Sequence, residues 1–340
     1  KTIFNEIHKH YNNSLKNELT TQKISLGKYN AILNNVPNSK TYRPTLYDFL
    51  SHNALEFFRT NEPTINQPNY KFEIDKASYI SNLESINIMH QDSNSLDLNA
   101  LKTYQKLILF HKENKNPTAY ITVYIEAINF ISQKSIIEDK QEIQLNTLKQ
   151  LKNRYRHHAV STQIDFEIAK IYKQQANTYS PKGDETHRFK NKDALNTCEL
   201  AIKLFPKSDG ALNCTILKDQ ILQSSLRITT EEHIPSNTPS RLLVDYKNTD
   251  QLFFSIYKIP HKATKKFYKI KNDSARFSFI SELEIVQKWN STLRNENDHQ
   301  QHRTEIIVPK LPLGNYLVYS TIKNDSITTN KTNVFSIIQV

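Results

Sequence analysis

Glycine is almost absent. Four occur in 340 residues, each isolated: Gly27, Gly183, Gly210 and Gly314. That excludes the GxGxxG and GxxxxGKS/T fingerprints, whose backbones cradle phosphates. Cysteine is nearly as scarce. Cys198 and Cys214 are the only two, and they lack metal-ligand spacing with each other. They read either as a disulfide or as two small buried residues. No run approaches the roughly 18–20 apolar residues that a membrane-spanning helix needs. No signal peptide opens the chain, yet it starts at Lys1 rather than Met. It therefore reads as a processed product or a trimmed piece, and the missing leader is no sign of cytoplasmic residence.

What is present is aromatic and basic. The length of 340 residues suffices for two or three domains with their own cores, and sixteen Phe and seventeen Tyr supply large apolar side chains that argue against global disorder. The formal charge of +11 raises nucleic acid as a partner. Lysines far outnumber arginines and are scattered, whereas base readout favours Arg. Clusters such as Lys262-Ala263-Thr264-Lys265-Lys266 read as solvated surface, and no specific nucleic-acid partner is expected.

The periodicity changes near Ser224. Upstream, apolar residues recur at helical spacing. Two short polar helices are expected around Thr20-Thr21, then one from about Thr45 that places Leu46, Phe49, Leu50, Leu55 and Phe58 on adjoining faces. Further helices are expected at about 75–91, 96–114, 117–134, 136–157 and 160–177, with Ser95 as an N-cap and Pro117 in a first turn. The stretch Tyr120–Ile125 mimics a strand, but the pattern continues through Ala127, Ile128 and Ile131 and favours a buried helix. Ala194, Cys198, Ala201 and Pro206 fall at the spacing of the second helix of a tetratricopeptide repeat. Ala169 and Tyr172 would fill its first helix, with 177–192 as an insertion. No second copy of equal quality lies upstream.

Downstream, short alternating runs at 226–229, 241–246, 252–257, 304–308, 316–320 and 334–338 read as strands separated by turns carrying Pro, Asn, Asp and Gly. Seven or so strands in about 115 residues suggest an antiparallel β-sandwich.

Site chemistry is sparse. His157-His158 and His299/His302 are the densest histidine clusters, and zinc needs three or four ligands with an ordered second shell. Both clusters, and His8 and His10, read as surface histidines. There is no GxSxG motif, and neither cysteine sits in a protease context. Cys198-Glu199-Leu200-Ala201 and Cys214-Thr215-Ile216-Leu217 do not match a thioester motif. Asp184/Glu185 and Glu231/Glu232 read as solvated pairs. Trp289 reads as a core anchor.

Four stretches carry a family resemblance: Arg43-Pro44-Thr45-Leu46-Tyr47-Asp48-Phe49-Leu50 running to Phe58; Leu204–Ala211 with Cys214, Leu217 and Ile221; Pro239–Val244 with Tyr246-Lys247-Asn248; and Trp289, Glu305 and Leu311–Tyr316 with the closing strand. In this order they resemble the N-terminal region of the large bacterial alpha-2-macroglobulin family proteins, in the form common among Bacteroidetes, over roughly residues 41–340. The resemblance implies an α+β multidomain chain. Residues 1–223 would be all-α, built of helical hairpins and partly tetratricopeptide-like. Residues 224–340 would be the first β-sandwich of macroglobulin type.

Such proteins are exported to the periplasm or cell envelope and are thought to trap or inhibit proteases. Bait region and thioester would lie beyond Val340, so no catalytic, cofactor-binding or metal-binding residue carries over. The implied partners are following domains of a longer chain and, through the full-length protein, host or environmental proteases. Membrane contact would come only through an N-terminal anchor missing from this sequence. In an oxidising periplasm a Cys198–Cys214 bridge gains plausibility. It would close a loop of about fifteen residues, worth roughly 3 kcal/mol on a chain-entropy estimate. Leu311–Gly314 is expected to turn on a glycine conformation closed to other residues, and Tyr47 and Asp48 to cap or anchor the helix from Thr45. A stand-alone helical-repeat binding module with an attached sandwich is the alternative. An unrecognised hydrolase acting on polysaccharide or peptide is a third class.

Overall fold

A computed structural model describes residues 2–34, 36, 38–61, 67–323 and 333–340. It is an α+β protein, and its chain divides into two compact units: residues 1–171 with 196–216, and residues 172–195 with 217–340. The second unit thus takes in residues on both sides of Ser224.

The first unit is helical. Its elements are α1 (Thr2–Ser14), α2 (Glu18–Thr21), a 3-10 turn (Leu26–Tyr29), α3 (Ser39–Tyr42), α4 (Leu46–Phe58), α5 (Ser78–Ser81), α6 (Leu96–His111), α7 (Thr118–Lys134) and α8 (Lys140–Tyr155). Three further helices contribute residues to both units: α9 (Ser161–Ala176), α10 (Lys190–Leu204) and α11 (Asp209–Leu222). Helix α7 settles the ambiguity at Tyr120–Ile125. It buries Tyr120, Ile121, Val123, Tyr124, Ile125, Ala127, Ile128, Phe130 and Ile131, so it is apolar nearly all round. At 17 residues it is too long for a strand, and burial overrides its β-branched preference. The Ser95 hydroxyl accepts from the Leu98 amide at 3.3 Å and starts α6 as expected. Pro117 sits at the N-cap of α7, one position before its first turn.

The helix expected over 75–91 shrinks to α5. Asn82 ends it, and the Ser85 hydroxyl donates to the Asn82 side chain at 2.6 Å, a local bond that competes with helix. Two carbonyls left open, Leu83 and Ile86, accept from the Gln105 side-chain amide of α6 at 2.8 and 2.7 Å. A tertiary partner therefore satisfies irregular backbone that would otherwise pay for burial.

The second unit carries seven strands: β1 (Ser225–Thr230), β2 (Ser240–Lys247), β3 (Gln251–Lys258), β4 (Ile285–Thr292), β5 (His302–Val308), β6 (Asn315–Thr321) and β7 (Val334–Gln339). They form two antiparallel sheets, ordered β1-β2-β5 and β4-β3-β6-β7. Leu242, Val244 and Val308 of the first sheet share one core with Phe254, Ile256, Tyr316 and Val318 of the second. Phe254 lies opposite Trp289 and Ser320 in register. Trp289 stacks on Phe254 at 4.6 Å between ring centroids and packs against that core, as its sequence context suggested.

Two helices between β3 and β4 have no counterpart in the periodicity reading: α12 (His261–Lys269) and α13 (Asp273–Ser281). Phe267, Phe277 and Ile280 from them cover Tyr257, Leu317, Tyr319 and Ile337 on the outer face of the four-stranded sheet. Strand β6 is therefore buried on both faces from Tyr316 to Thr321, as a covered central strand must be. The Lys262–Lys266 cluster is the solvent face of α12, with Thr264 buried beneath it.

Glycine scarcity has a structural consequence. Among the described residues, the left-handed backbone positions fall on Asn38, Asn237, Asn248, Asn297 and His299, and none on glycine. Asparagine tolerates this region better than most side chains. The expectation for Gly314 is thereby corrected. Its φ is not left-handed, and what constrains it is space: a Cβ there would lie 3.2–3.3 Å from the Tyr316 ring. The Tyr316 hydroxyl donates back to the Pro312 carbonyl at 2.9 Å, closing the turn. Among the described residues, no helix is long and apolar enough to cross a membrane.

Candidate functional site

The helical unit contains a cleft of about 320 Å³ where four chain segments meet. Thr41 and Tyr42 come from α3, Thr118 from the start of α7, Gln163 from the first turn of α9, Lys207 from the α10–α11 turn and Asp209 from the first position of α11. The turn is held by sequence-local and close-packed features. The Ser208 hydroxyl accepts from the Ala211 amide at 3.3 Å and caps α11. It also meets the Thr162 hydroxyl at 2.8 Å. Gly210 is required by contact: a Cβ there would fall 2.2 Å from the Thr162 carbonyl carbon.

Across the cleft the Tyr42 hydroxyl donates to the Asp209 carboxylate and accepts from the Gln163 amide at 3.3 Å. Burial, reinforced by Asp209, pushes the Tyr42 phenol up to about 12, so it keeps its proton at physiological pH. A locked donor beside hydroxyl, amide and ammonium groups suits recognition of a polar, hydrogen-bonding ligand rather than proton transfer.

A smaller pocket of about 100 Å³ involves Glu84, Tyr120, Tyr124 and Arg154. Burial alone would raise the Glu84 carboxyl, but Lys112 at 2.7 Å, the Tyr120 hydroxyl and Arg154 more than offset it, and the pKa falls. The Tyr124 phenol rises to about 12 through burial and the nearby Glu84. This pocket is an ion-pair node binding α6, α7 and α8 side chains to the segment after α5.

Asp48 is a second node, and its signal was legible. Thr45 and Asp48 form a capping box: the Thr45 amide and hydroxyl donate to Asp48 Oδ2 at 2.9 and 2.7 Å. Asp48 Oδ1 lies 2.5 Å from His111 Nε2 at the end of α6, both side chains being fully buried. The Asn114 amide donates to His111 Nδ1 at 2.8 Å, which leaves the ring proton on Nε2, facing Asp48. His52 Nδ1 reaches the Asp48 carbonyl at 2.8 Å, and its Nε2 lies 3.6 Å from Glu126. Burial would raise Glu126, but His52, Arg43 and Arg59 hold it below its usual value.

In the second unit Asp298 is the corresponding hub. It accepts from Arg188 Nε at 3.0 Å, His302 Nε2 at 2.8 Å and the Gln300 amide at 3.1 Å. These donors hold its carboxyl low despite burial. His299 Nδ1 meets Asn248 Oδ1 at 2.8 Å, while Asn248 Nδ2 donates to the Ile221 and Gln223 carbonyls at 2.8 and 3.3 Å. His299 and His302 thus serve separate partners, His299 in a loop tied to the α11 terminus and residues 176–191 and His302 at the start of β5.

The other sequence candidates disperse. His157 and His158, Asp184 and Glu185, and Glu231 and Glu232 are exposed. His8 is buried, which lowers its pKa, while His10 is exposed. Cys198 and Cys214 are fully buried free thiols, one on each helix of the α10–α11 hairpin. Sequence reasoning missed the Tyr42–Gln163–Asp209 cleft because its members lie far apart in the chain; it singled out His299 and His302 but not Asp298, which takes His302 and Gln300 from within four residues and Arg188 from a distant segment. Comparison with protein-family models gives no match to this sequence, and comparison with curated proteins gives none either.

Proposed function

We propose that this chain is a non-catalytic structural and interaction segment of an alpha-2-macroglobulin-like protein exported to the periplasm or cell envelope, whose parent traps or inhibits proteases. One observation carries this reading. The four stretches that resemble the family lie, in the same order, at caps and packing nodes. Thr45 and Asp48 cap α4, Gly210 packs against the backbone of α9, Asn248 caps α11, and Trp289 and Tyr316 join the two-sheet core. Residues used this way hold elements in place within each unit, the work of a structural segment. On this reading the two-sheet unit is the first macroglobulin-type domain, the α9–α11 helices are tetratricopeptide-like, and following domains of the longer chain are the immediate partners.

The gene tests it first. A reading frame that runs far past Val340 into further sandwich domains supports the proposal, and a stop codon at Val340 sinks it. The encoded full-length protein, incubated with an active protease, should carry the protease with it through gel filtration.

The polar cleft at Tyr42, Gln163 and Asp209 favours a second reading, a stand-alone helical module that binds a polar segment of another protein. That reading takes precedence if the frame closes at Val340 and if Gln163→Ala weakens capture of a partner while leaving the melting curve unchanged.

A further inference from the structure

Helix α12 carries a charge that nothing in the fold uses. No Asp or Glu occurs between Asp250 and Asp273, while Lys258, Lys262, Lys265, Lys266, Lys269 and Lys271 all lie there. Four of them, Lys262, Lys265, Lys266 and Lys269, recur at helical spacing and fall within about 100° of arc on one side of α12. All four are exposed, and the row runs roughly 10 Å along the helix axis. Other lysines sit against carboxylates: Lys106, Lys112, Lys170 and Lys190 reach theirs at 2.7–2.9 Å. Among the described residues, none of the four α12 lysines has such a partner. Asp273, the next acid in the chain, is engaged by Arg276 at 3.6 Å.

Helix stability does not account for the row. Lys266 and Lys269 suit the negative end of the helix dipole. Lys262, however, lies in the first turn, which holds no acidic residue, and like charges at these spacings repel. We propose that the lysine face of α12 is a docking surface for an anionic phospholipid bilayer.

The other side of the helix is already occupied. Thr264 and Phe267 are buried, and the Phe267 ring meets those of Phe279 and Phe335, each at 5.7 Å between centroids. The helix is thus pinned to the four-stranded sheet, and its apolar side is not free to enter the acyl layer. What faces outward is a fixed row of ammonium groups, which meets a surface of phosphates with no backbone left to order. Contact is therefore peripheral and electrostatic. Tyr268, 68% exposed, flanks the row and suits the headgroup layer, where tyrosine is enriched. Nucleic acid fits less well. The row has no arginine for bidentate base contacts, and it has one aromatic where a run of stacked bases needs several. The inference stands apart from the family reading, since the row is present whatever longer protein the chain belongs to.

The test is co-sedimentation of the whole chain with lipid vesicles. The protein should bind vesicles of equal parts phosphatidylcholine and phosphatidylglycerol, and not vesicles of phosphatidylcholine alone. Binding should fall severalfold as salt rises from about 50 to about 200 mM, because screening shortens the reach of the charges. Lys265→Gln with Lys266→Gln should weaken binding by about tenfold, since each lysine near an anionic surface contributes a few-fold. The circular dichroism spectrum of that variant should stay unchanged. Lys115→Gln with Lys182→Gln removes the same charge from exposed positions away from α12 and should leave binding within about twofold. Absence of binding to the anionic vesicles, or equal binding to both vesicle types, overturns the proposal. An equal loss in the two double variants also overturns it, because net charge alone would then explain the binding. If duplex DNA binds more tightly than the anionic vesicles and the α12 variant loses that binding, the surface belongs to nucleic acid and the lipid assignment falls.

Discussion

At the scale of single residues, the chain solves a problem created by its shortage of glycine. Left-handed backbone is needed at Asn248, and asparagine supplies it while its amide also caps α11 and its oxygen meets His299. Asn248→Gly keeps the backbone free but loses the side-chain bonds, and should cost about 1–2 kcal/mol. Asn248→Ala loses those bonds and adds left-handed strain of about 1 kcal/mol, so it should be the worse variant in urea unfolding. His299 carries a pH dependence. Burial, then Lys247, lowers its pKa below the ordinary 6.5, with Lys192 acting the same way and Asp298 opposing. The folded state therefore binds this proton more weakly than the unfolded chain does. Stability is full above about 6.5, the unfolded value, and falls as pH drops through the lower folded value. The urea midpoint of the β-containing unit should decline between pH 7.5 and 5.5. In His299→Asn, which keeps a residue suited to φ 54°, that slope should flatten. An unchanged slope would remove His299 from the account.

At the scale of elements, local signals worked where one side chain serves its own helix. Of Tyr47 and Asp48, the residues expected to cap or anchor the helix from about Thr45, Tyr47 is buried and Asp48 does so in a capping box with Thr45, three residues before it. Ser95 does the same for α6. The helix expected over 75–91 failed because Asn82 and Ser85 offered local bonds, and Gln105, distant in sequence, stabilised the irregular alternative. Gly210 shows an element-level constraint that no local rule marks. Its hydrogen admits the backbone of α9, and Gly210→Ala should cost about 3 kcal/mol, the upper range for overpacking, because the obstacle is main chain. Gly183→Ala meets only the Ser180 side chain at 3.3–3.4 Å and should stay within about 0.5 kcal/mol. Circular dichroism melts of the two variants compare them directly.

At the scale of the whole molecule, the net charge of +11 is the property most open to misreading. Its lysines lie on solvent faces such as that of α12, where Lys262, Lys265, Lys266 and Lys269 are exposed while Phe267 packs inward. Such a surface attracts polyanions without reading sequence. Any binding to duplex DNA should therefore be equal across unrelated sequences and should fall by at least tenfold between 50 and 200 mM salt. Sequence-selective binding that persists at the higher salt, measured by fluorescence anisotropy, would restore a nucleic-acid role.

By itself the sequence determined the order of classes, helices and then strands with the change near Ser224, because the period of apolar residues reports which face of an element is buried. It also determined the cap at Ser95, the anchoring role of Asp48 at the start of α4 and the packing of Trp289 against the core. The two-faced spacing of α12, lysines on one side and Ala263 and Phe267 on the other, was present in the sequence but spans barely two turns, and only the tertiary structure decided what Phe267 covers on the sheet. It also decided that β4 pairs with β3, that Gly314 is held by the Tyr316 ring rather than by its own φ, and that Tyr42, Gln163 and Asp209 share a cleft. Each of these depends on what covers an element from elsewhere in the chain, which a local period cannot encode.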